Sequence, residues 1–248
     1  MDSLYDNVRL CNELNLDLLE INMNLPQFQL KEMEDLKIGS LEYSIHLPED
    51  LNIWAFNENV LDAHIKTVID TIRFCKLKKI KKINMHMNPG IYFTLPQKKV
   101  FLFEKYYDTY IQNTINFGKI VECELSGTEI EVFVENTGIY HLWFIRKAVE
   151  ELLKINCFKL TWDVGHEFSS GTNDSEFLAA NKKYINHLHL HDAIGSNNHL
   201  PLGTGQINID RIMDMAGQYI KSIIFETKTV DGLIESVEFY RKHIHDTI

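Results

Sequence analysis

At 248 residues, with 45% hydrophobic side chains, the chain is long enough to bury the core of one α/β barrel or of two small domains. Its 35 acidic against 25 basic residues give a net charge of −10, which opposes a phosphate-tracking surface and disfavours long nucleic acid as a partner. Cys11, Cys75, Cys123 and Cys157 form no CxxC pair, no apolar run reaches the length of a membrane span, and MDSLYDN lacks the regions of a signal peptide; a cytoplasmic location with reduced thiols is expected.

In chain order, Ser3–Leu14 reads as a helix capped by Ser3, and Leu16–Asn22 as a short apolar strand that carries Glu20 near its end. Pro26 opens a helix expected to run to about Lys37, closed by Gly39. Leu41–Leu47 is a strand ending in His46. Glu58–Lys79 is an amphipathic helix with Val60, His64, Val68, Ile72 and Cys75 on one stripe, and its final KLKKIKK reads as a solvated helix end. Ile83–Met87 is a strand ending in His86, followed by the turn Asn88-Pro89-Gly90.

A helix is expected over Pro96–Gly118, then a strand over Ile130–Asn136 ending in Glu135 and a helix over Ile139–Ile155. Phe158–Asp163 is a strand ending in Asp163, with His166 in the following loop. Ser175–Tyr184 reads as a helix. The stretch Asn186–Ile207 begins with period-2 alternation that puts His187, His189 and His191 on one face, and then turns into a polar loop carrying Asp192, Asn197 and His199. Helix Ile209–Tyr219, strand Ser222–Glu226 and helix Leu233–His245 close the chain. Alternating strands and helices imply a parallel sheet with crossover helices, in one domain over residues 1–248. Seven strands are expected rather than eight, because the pattern begins on a helix.

Ionisable residues recur near the carboxyl ends of these strands: Glu20, His46, His86, Glu135, Asp163, His189 and Glu226. In a parallel barrel such ends gather around one mouth. One buried histidine is usually a satisfied core residue; seven coincident polar ends are hard to explain as solvated tips. Mixed carboxylate and imidazole donors suit Zn²⁺ or Mn²⁺ better than Mg²⁺.

The motifs SIHLP (His46), MHMNPG (His86), VENTG (Glu135), WDVGHEF (Asp163 and His166), HLHD (His189), HLPLGTG (His199) and FETK (Glu226), in this order, resemble the xylose-isomerase-like TIM barrels. That family includes sugar isomerases and epimerases and the endonuclease IV group. The resemblance implies a TIM-like (β/α) barrel lacking its first strand and holding one to three divalent ions. By position, His46, His86 and Glu135 would hold one ion, while Glu135, Asp163, His189 and Glu226 would hold a second. His166 and His199 would belong to a third site whose carboxylate position is taken here by Asn197, a neutral and weaker ligand. His191 and Asp192 are expected to orient ligands or to touch substrate, Asn197 to lie at the substrate, and Glu20 to be either a polar substrate contact or a solvated strand end.

Two reactions remain open on this scaffold. A sugar isomerase or epimerase needs chiefly the four-ligand set, with Glu135 and Glu226 moving the proton. Phosphoester hydrolysis by metal-activated hydroxide would also use His46 and His86. Because both histidines and His199 are present, ligand count favours a multi-metal hydrolase of a small phosphodiester or phosphosugar, with the isomerase or epimerase as alternative. The acidic chain and base-free loops Asn88–Pro96 and Gly165–Asp174 argue against an endonuclease on DNA. A metal-binding barrel without catalysis is the non-enzymatic alternative. The expected partner is a small molecule, and the protein a monomer or homodimer.

Overall fold

In a computed structural model, which describes residues 3–34, 39, 41–172 and 174–243, seven strands form one parallel sheet. They are β1 (Leu18–Asn22), β2 (Glu42–His46), β3 (Lys82–His86), β4 (Glu131–Glu135), β5 (Phe158–Asp163), β6 (Ile185–Leu190) and β7 (Ser222–Phe225), hydrogen-bonded in that order. Helices lie between them: α1 (Leu4–Glu13), α2 (Glu58–Lys78), α3 (Tyr107–Leu125), α4 (Trp143–Leu152), α5 (Val164–Ser170), α6 (Asp174–Ala180), α7 (Ile209–Ala216) and α8 (Val230–His243). The sheet curls into a nearly closed barrel. Each βα unit contributes one strand and one covering helix, the short-connection solution for a parallel sheet.

The barrel stays open where an eighth strand would stand. Among the described residues β1 pairs only with β2, and β7 only with β6. A cleft of about 630 Å³ runs along that seam, lined by Leu18, Leu19 and Glu20 on one side and Ser222–Phe225 on the other. Every residue of β7 is half-buried, whereas β6 is buried throughout. The loss of a neighbour is felt at the edge strands alone.

The apolar core lies between strands and helices. Ile21, Ile45, Ile83, Met85, Val132, Val134, Leu160, Trp162, Leu188 and Leu190 are all buried there with the inner faces of α2, α3 and α4. Alternate residues are polar: Glu20 pairs in register with Ser44, Asn22 with His46, His86 with Glu135 and Asp163 with His189. Period-2 alternation therefore divides each strand between a greasy outer face and an ionisable one.

Several elements differ from the sequence expectation. The helix expected after Pro26 is two short 3₁₀ turns, Pro26–Phe28 and Leu30–Met33; its continuation to Lys37 lies outside the described residues. The break is at Gln29, which is extended (φ −72°, ψ 152°) and whose side chain donates to the Met23 and Leu25 carbonyls. Pro96 begins no helix. It sits in the turn of an antiparallel hairpin, Tyr92–Leu95 with Lys98–Phe101, and the long helix starts only at Tyr107. On α2, Val68, Ile72 and Cys75 are buried, but Val60 is 44% exposed.

The loop expected after Asp163 is helix α5, because the Asp163 side chain caps it by accepting the His166 N–H at 2.5 Å. The polar loop around His199 is a second hairpin, Asp192–Ile194 with Asn197–Leu200. The helix expected to end at Tyr184 stops at Ala180, and the one expected to end at Tyr219 stops at Ala216, each followed by a 3₁₀ turn. The last helix begins at Val230; the expected end at His245 lies outside the described residues.

Candidate functional site

The strand ends meet around His189, which is fully buried. Its Nδ1 lies 3.0 Å from Glu226 Oε1, 3.3 Å from Glu135 Oε2 and 3.9 Å from Asp163 Oδ2. On the other side of Glu135, His46 Nε2 stands 3.3 Å from Oε2 and His86 Nε2 3.4 Å from Oε1. The cavity above them, about 500 Å³, is lined by Glu20, His46, His86, Glu135, His166, His199 and Glu226, with Asn22, Glu49, Thr227 and Lys228 at its margin. The larger seam cleft shares only Glu20 and the strand Ile224–Phe225 with this cavity and lies away from the clustered histidines.

These contacts are close in distance yet poorly aligned as hydrogen bonds. His86 Nε2 and both ring nitrogens of His189 are buried with no hydrogen-bond partner. Orphaned buried nitrogens cost about 1–3 kcal/mol each, so three in one cluster call for a missing partner. Ligand atoms bound at ~2.0–2.2 Å to a shared cation stand roughly 3–3.6 Å from one another; the contacts to Glu226 and Glu135 fall in that range and Asp163, at 3.9 Å, stands just outside it. Two sets have ligand atoms within 4.8 Å of one another and share Glu135: Glu135 with Asp163 and His189, and Glu135 with His46 and His86. The donor set of nitrogen and carboxylate oxygen fits a divalent cation such as Zn²⁺ or Mn²⁺.

A third set, His191, His199 and Glu226, is equally compact. Its chemistry is less favourable. His191 Nδ1 accepts the His199 backbone N–H at 2.8 Å, which leaves Nε2–H to donate to Asp163, 3.2 Å from Oδ1 and 3.3 Å from Oδ2. Both nitrogens are thus in use, and His191 holds Asp163 rather than offering a lone pair. Among the described residues His166 completes no set of three ligand atoms, although its Nε2 comes within 3.9 Å of Asp163 Oδ2. Asn197 lies exposed on the second hairpin and lines none of the mouth cavity. The expected third site therefore has no complete ligand set here. His199 itself sits at φ 55°, a left-handed conformation that side-chain-bearing residues seldom adopt, with Nδ1 3.5 Å from Glu226 Oε2.

Asp192 does not fit the expectation of a substrate contact. It is buried, and its two oxygens accept four backbone N–H groups, from Ala193, Gly203, Gly205 and Ile207, at 2.8–3.1 Å. It ties the loop after the second hairpin to the barrel. Glu20 lines the mouth cavity, but its side chain is only 7% exposed and its Oε1 is 3.1 Å from His189 Nε2.

Three supports escaped sequence reading. Asn84 donates to Glu135 Oε2 and accepts from the Thr161 hydroxyl at 2.7 Å, linking β3, β4 and β5. Asn136 exchanges two bonds with the Asp163 backbone, at 2.8 and 2.9 Å. Gly165 leaves room for the His191 ring, since a Cβ there would fall 1.8 Å from Cε1. Period-2 alternation pointed at Asn84; nothing local marked the other two.

The electrostatics follow from burying acids and imidazoles together. Burial raises the Glu226 carboxyl, but the charge of His189, 3.0 Å away, outweighs it and leaves the group at about 2. Glu135 is likewise held well below the usual carboxylate range: burial opposes this, and the charges of His189 and His86 prevail. Burial lowers His46, yet the hydrogen bond and charge of Glu135, with Glu20 behind, bring it to about 9. His187, whose Nδ1 meets Ser222 Oγ at 2.7 Å, is pushed by burial down to about 4 and stays neutral. With no cation bound, histidine protons balance the carboxylates; a cation displaces them.

This sets a pH window for the chelator-treated protein. The stabilisation carried by Glu226 is complete above its ordinary value of 4.5 and is lost as pH falls toward about 2; that of His46 is complete below 6.5 and is lost as pH rises through about 9. Urea midpoints in chelator should therefore be highest between these limits. A flat profile from pH 4 to 10 would contradict the ion cluster.

The barrel gathers buried imidazoles and carboxylates at the carboxyl ends of its strands, as candidate metal-ligand sets at the rim where such barrels keep their chemistry. The chain belongs to the xylose isomerase-like TIM barrel family, whose model matches residues 8–243. Among solved structures it is similar to a D-tagatose 3-epimerase-like protein (21% identity, TM-score 0.74, covering 99% of this chain and 94% of that one). It is also similar to the IOLI protein with a bound zinc atom (13%, TM-score 0.75, 99% and 94%) and to 3-keto-D-glucoside 4-epimerase, YcjR, from E. coli (16%, TM-score 0.66, 94% and 91%). At these identities the likeness establishes the fold. Comparison with curated proteins finds no match.

Proposed function

We propose that the protein is a metal-dependent epimerase or isomerase of a small polyhydroxylated ketone or aldehyde, with Glu135 and Glu226 as its proton-transfer pair. The observation that carries this reading is the placement of the two carboxylates. They come from β4 and the end of β7, and both approach His189 Nδ1, at 3.3 and 3.0 Å. The reading puts a substrate carbon over that point, between the two carboxylates. Inverting a stereocentre beside a carbonyl requires that arrangement: one group takes the proton from one face and the other returns a proton to the opposite face. A divalent cation held by Glu135, Asp163, His189 and Glu226 supplies, when bound, the positive charge that polarises the carbonyl.

The chain's own residues account for the rest. Asn84 fixes the Glu135 carboxylate, and His191 fixes Asp163. The low values of Glu135 and Glu226 keep both carboxylates ionised at neutral pH. Within the mouth lining Lys228 is the one lysine or arginine among the described residues, and it stands against Glu20, Glu49, Glu135 and Glu226. That balance suits a neutral sugar-like substrate better than a phosphodiester. The similarity to epimerase structures supports the same side.

Phosphoester hydrolysis, which ligand counting in the sequence favours, keeps one specific observation: His46, His86 and Glu135 form a second compact set able to hold another cation. The two readings separate in one experiment. The Mn²⁺- or Zn²⁺-loaded protein is incubated in D₂O with a panel of ketoses and, in parallel, with bis-(p-nitrophenyl) phosphate. Deuterium entering the carbon beside the carbonyl, seen by proton NMR, is the expected result. Diester cleavage without exchange at any sugar would replace this reading with hydrolysis.

A further inference from the structure

At the β1 side of the ligand cluster, Glu20 makes contacts that the proton chemistry does not use. Its Oε2 accepts the Ser44 hydroxyl at 3.0 Å, and Glu20 and Ser44 are register partners on β1 and β2, so the sheet itself sets this anchor. Its Oε1 lies 3.1 Å from His189 Nε2, reached across the open seam, and Oε2 lies 4.0 Å from His187 Nε2. Glu20, His187 and His189 even satisfy the spacing of a metal set, with ligand atoms within 4.8 Å. One fact decides against a second ion there. A neutral imidazole has a single lone pair, and His189 cannot give it both to Glu135, Asp163 and Glu226's cation through Nδ1 and to another through Nε2.

The lone pair has two places to go. With the proton on Nδ1, His189 points an N–H at Glu226 and Glu135, 3.0 and 3.3 Å away, a stable arrangement that excludes a cation. With the proton on Nε2, the N–H faces Glu20 and the lone pair faces the three carboxylates. Neither nitrogen has an aligned hydrogen-bond partner as the ring stands. His187 Nε2 also faces Glu20, but at 4.0 Å it is beyond hydrogen-bond reach, whereas His189 Nε2 stands at 3.1 Å.

We infer that Glu20 is the positioning residue of the metal site: its carboxylate holds the His189 proton on Nε2 and so delivers the lone pair at Nδ1. The inference rests on the metal reading of the site proposed above. It also explains why an acid is buried on β1, a strand that is not hydrogen-bonded to β6, which carries the imidazole that it serves. Partners of this kind behind metal-bound histidines are worth roughly 10–100-fold in metal affinity.

The test compares the wild type with Glu20→Gln and Glu20→Ala by calorimetric titration with Mn²⁺, and reads the His189 ring by ¹⁵N–¹H NMR in the Zn²⁺-loaded wild type. Both variants should bind Mn²⁺ at least ~10-fold more weakly. Gln keeps the shape but can present its amide N–H to Nε2, favouring the unwanted tautomer. In the wild type the spectrum should show Nε2 protonated and Nδ1 bound to metal. The NMR reading needs no variant, so it decides the matter even if a substitution prevents folding. Binding within twofold of wild type in both variants, or metal on Nε2, overturns the role of Glu20 alone. A wild type that takes up neither Mn²⁺ nor Zn²⁺ overturns the metal reading and this inference with it.

Discussion

Glu226→Gln in the metal-loaded protein should lower kcat for sugar interconversion by roughly 10²–10⁴-fold, and Glu135→Gln by a similar factor, the usual loss when a positioned acid–base group is removed. Gln keeps the size and one oxygen of Glu, so binding geometry suffers least while the capacity to take a proton disappears. The pair is expected to divide the two faces of the substrate carbon between them. Deuterium exchange should therefore fail from one epimer in Glu226→Gln and from the other in Glu135→Gln. Measured metal content separates this from simple loss of the ion, since both residues are candidate ligands. Equal exchange from both epimers in either metal-replete variant would remove the two-base mechanism.

Gly165→Ala should cost about 2–4 kcal/mol of stability, from overpacking together with broken buried hydrogen bonds. A Cβ at this position would fall 1.8 Å from Cε1 and 2.2 Å from Nδ1 of His191. That ring has nowhere to retreat. Its Nδ1 accepts the His199 N–H and its Nε2 donates to Asp163, so moving it frees a candidate ligand and a backbone turn together. A urea midpoint, with Mn²⁺ titration on the surviving folded fraction, reads both effects. Wild-type stability and affinity in this variant would mean that Asp163 does not depend on His191.

Much of the site was legible because its members end strands. His46, His86, Glu135, Asp163, His189 and Glu226 each follow an apolar alternating run, and parallel strands of similar length bring such ends to one rim. The seven-strand count was equally local, and the structure matches it with a sheet open at the seam. The hairpins at Tyr92–Phe101 and Asp192–Leu200 were not legible. Each is short, the first is exposed over most of its length, and a two-stranded ribbon has little signal of its own. Helix α5 was missed for a related reason: its cap, Asp163, had already been read as a ligand, and one side chain serves both ends.

Sequence by itself determined the order of strands and helices, the greasy and ionisable faces of each strand, and the family, since hydrophobic period and strand-end chemistry are properties of neighbouring residues. Tertiary structure alone decided what each polar group is for. Asp192 went to four loop amides, Glu20 to His189 and Asn84 to Glu135, 51 residues away. A buried carboxylate or amide takes the role of whichever donor the fold brings within hydrogen-bond reach, and those donors come from strands remote in the chain.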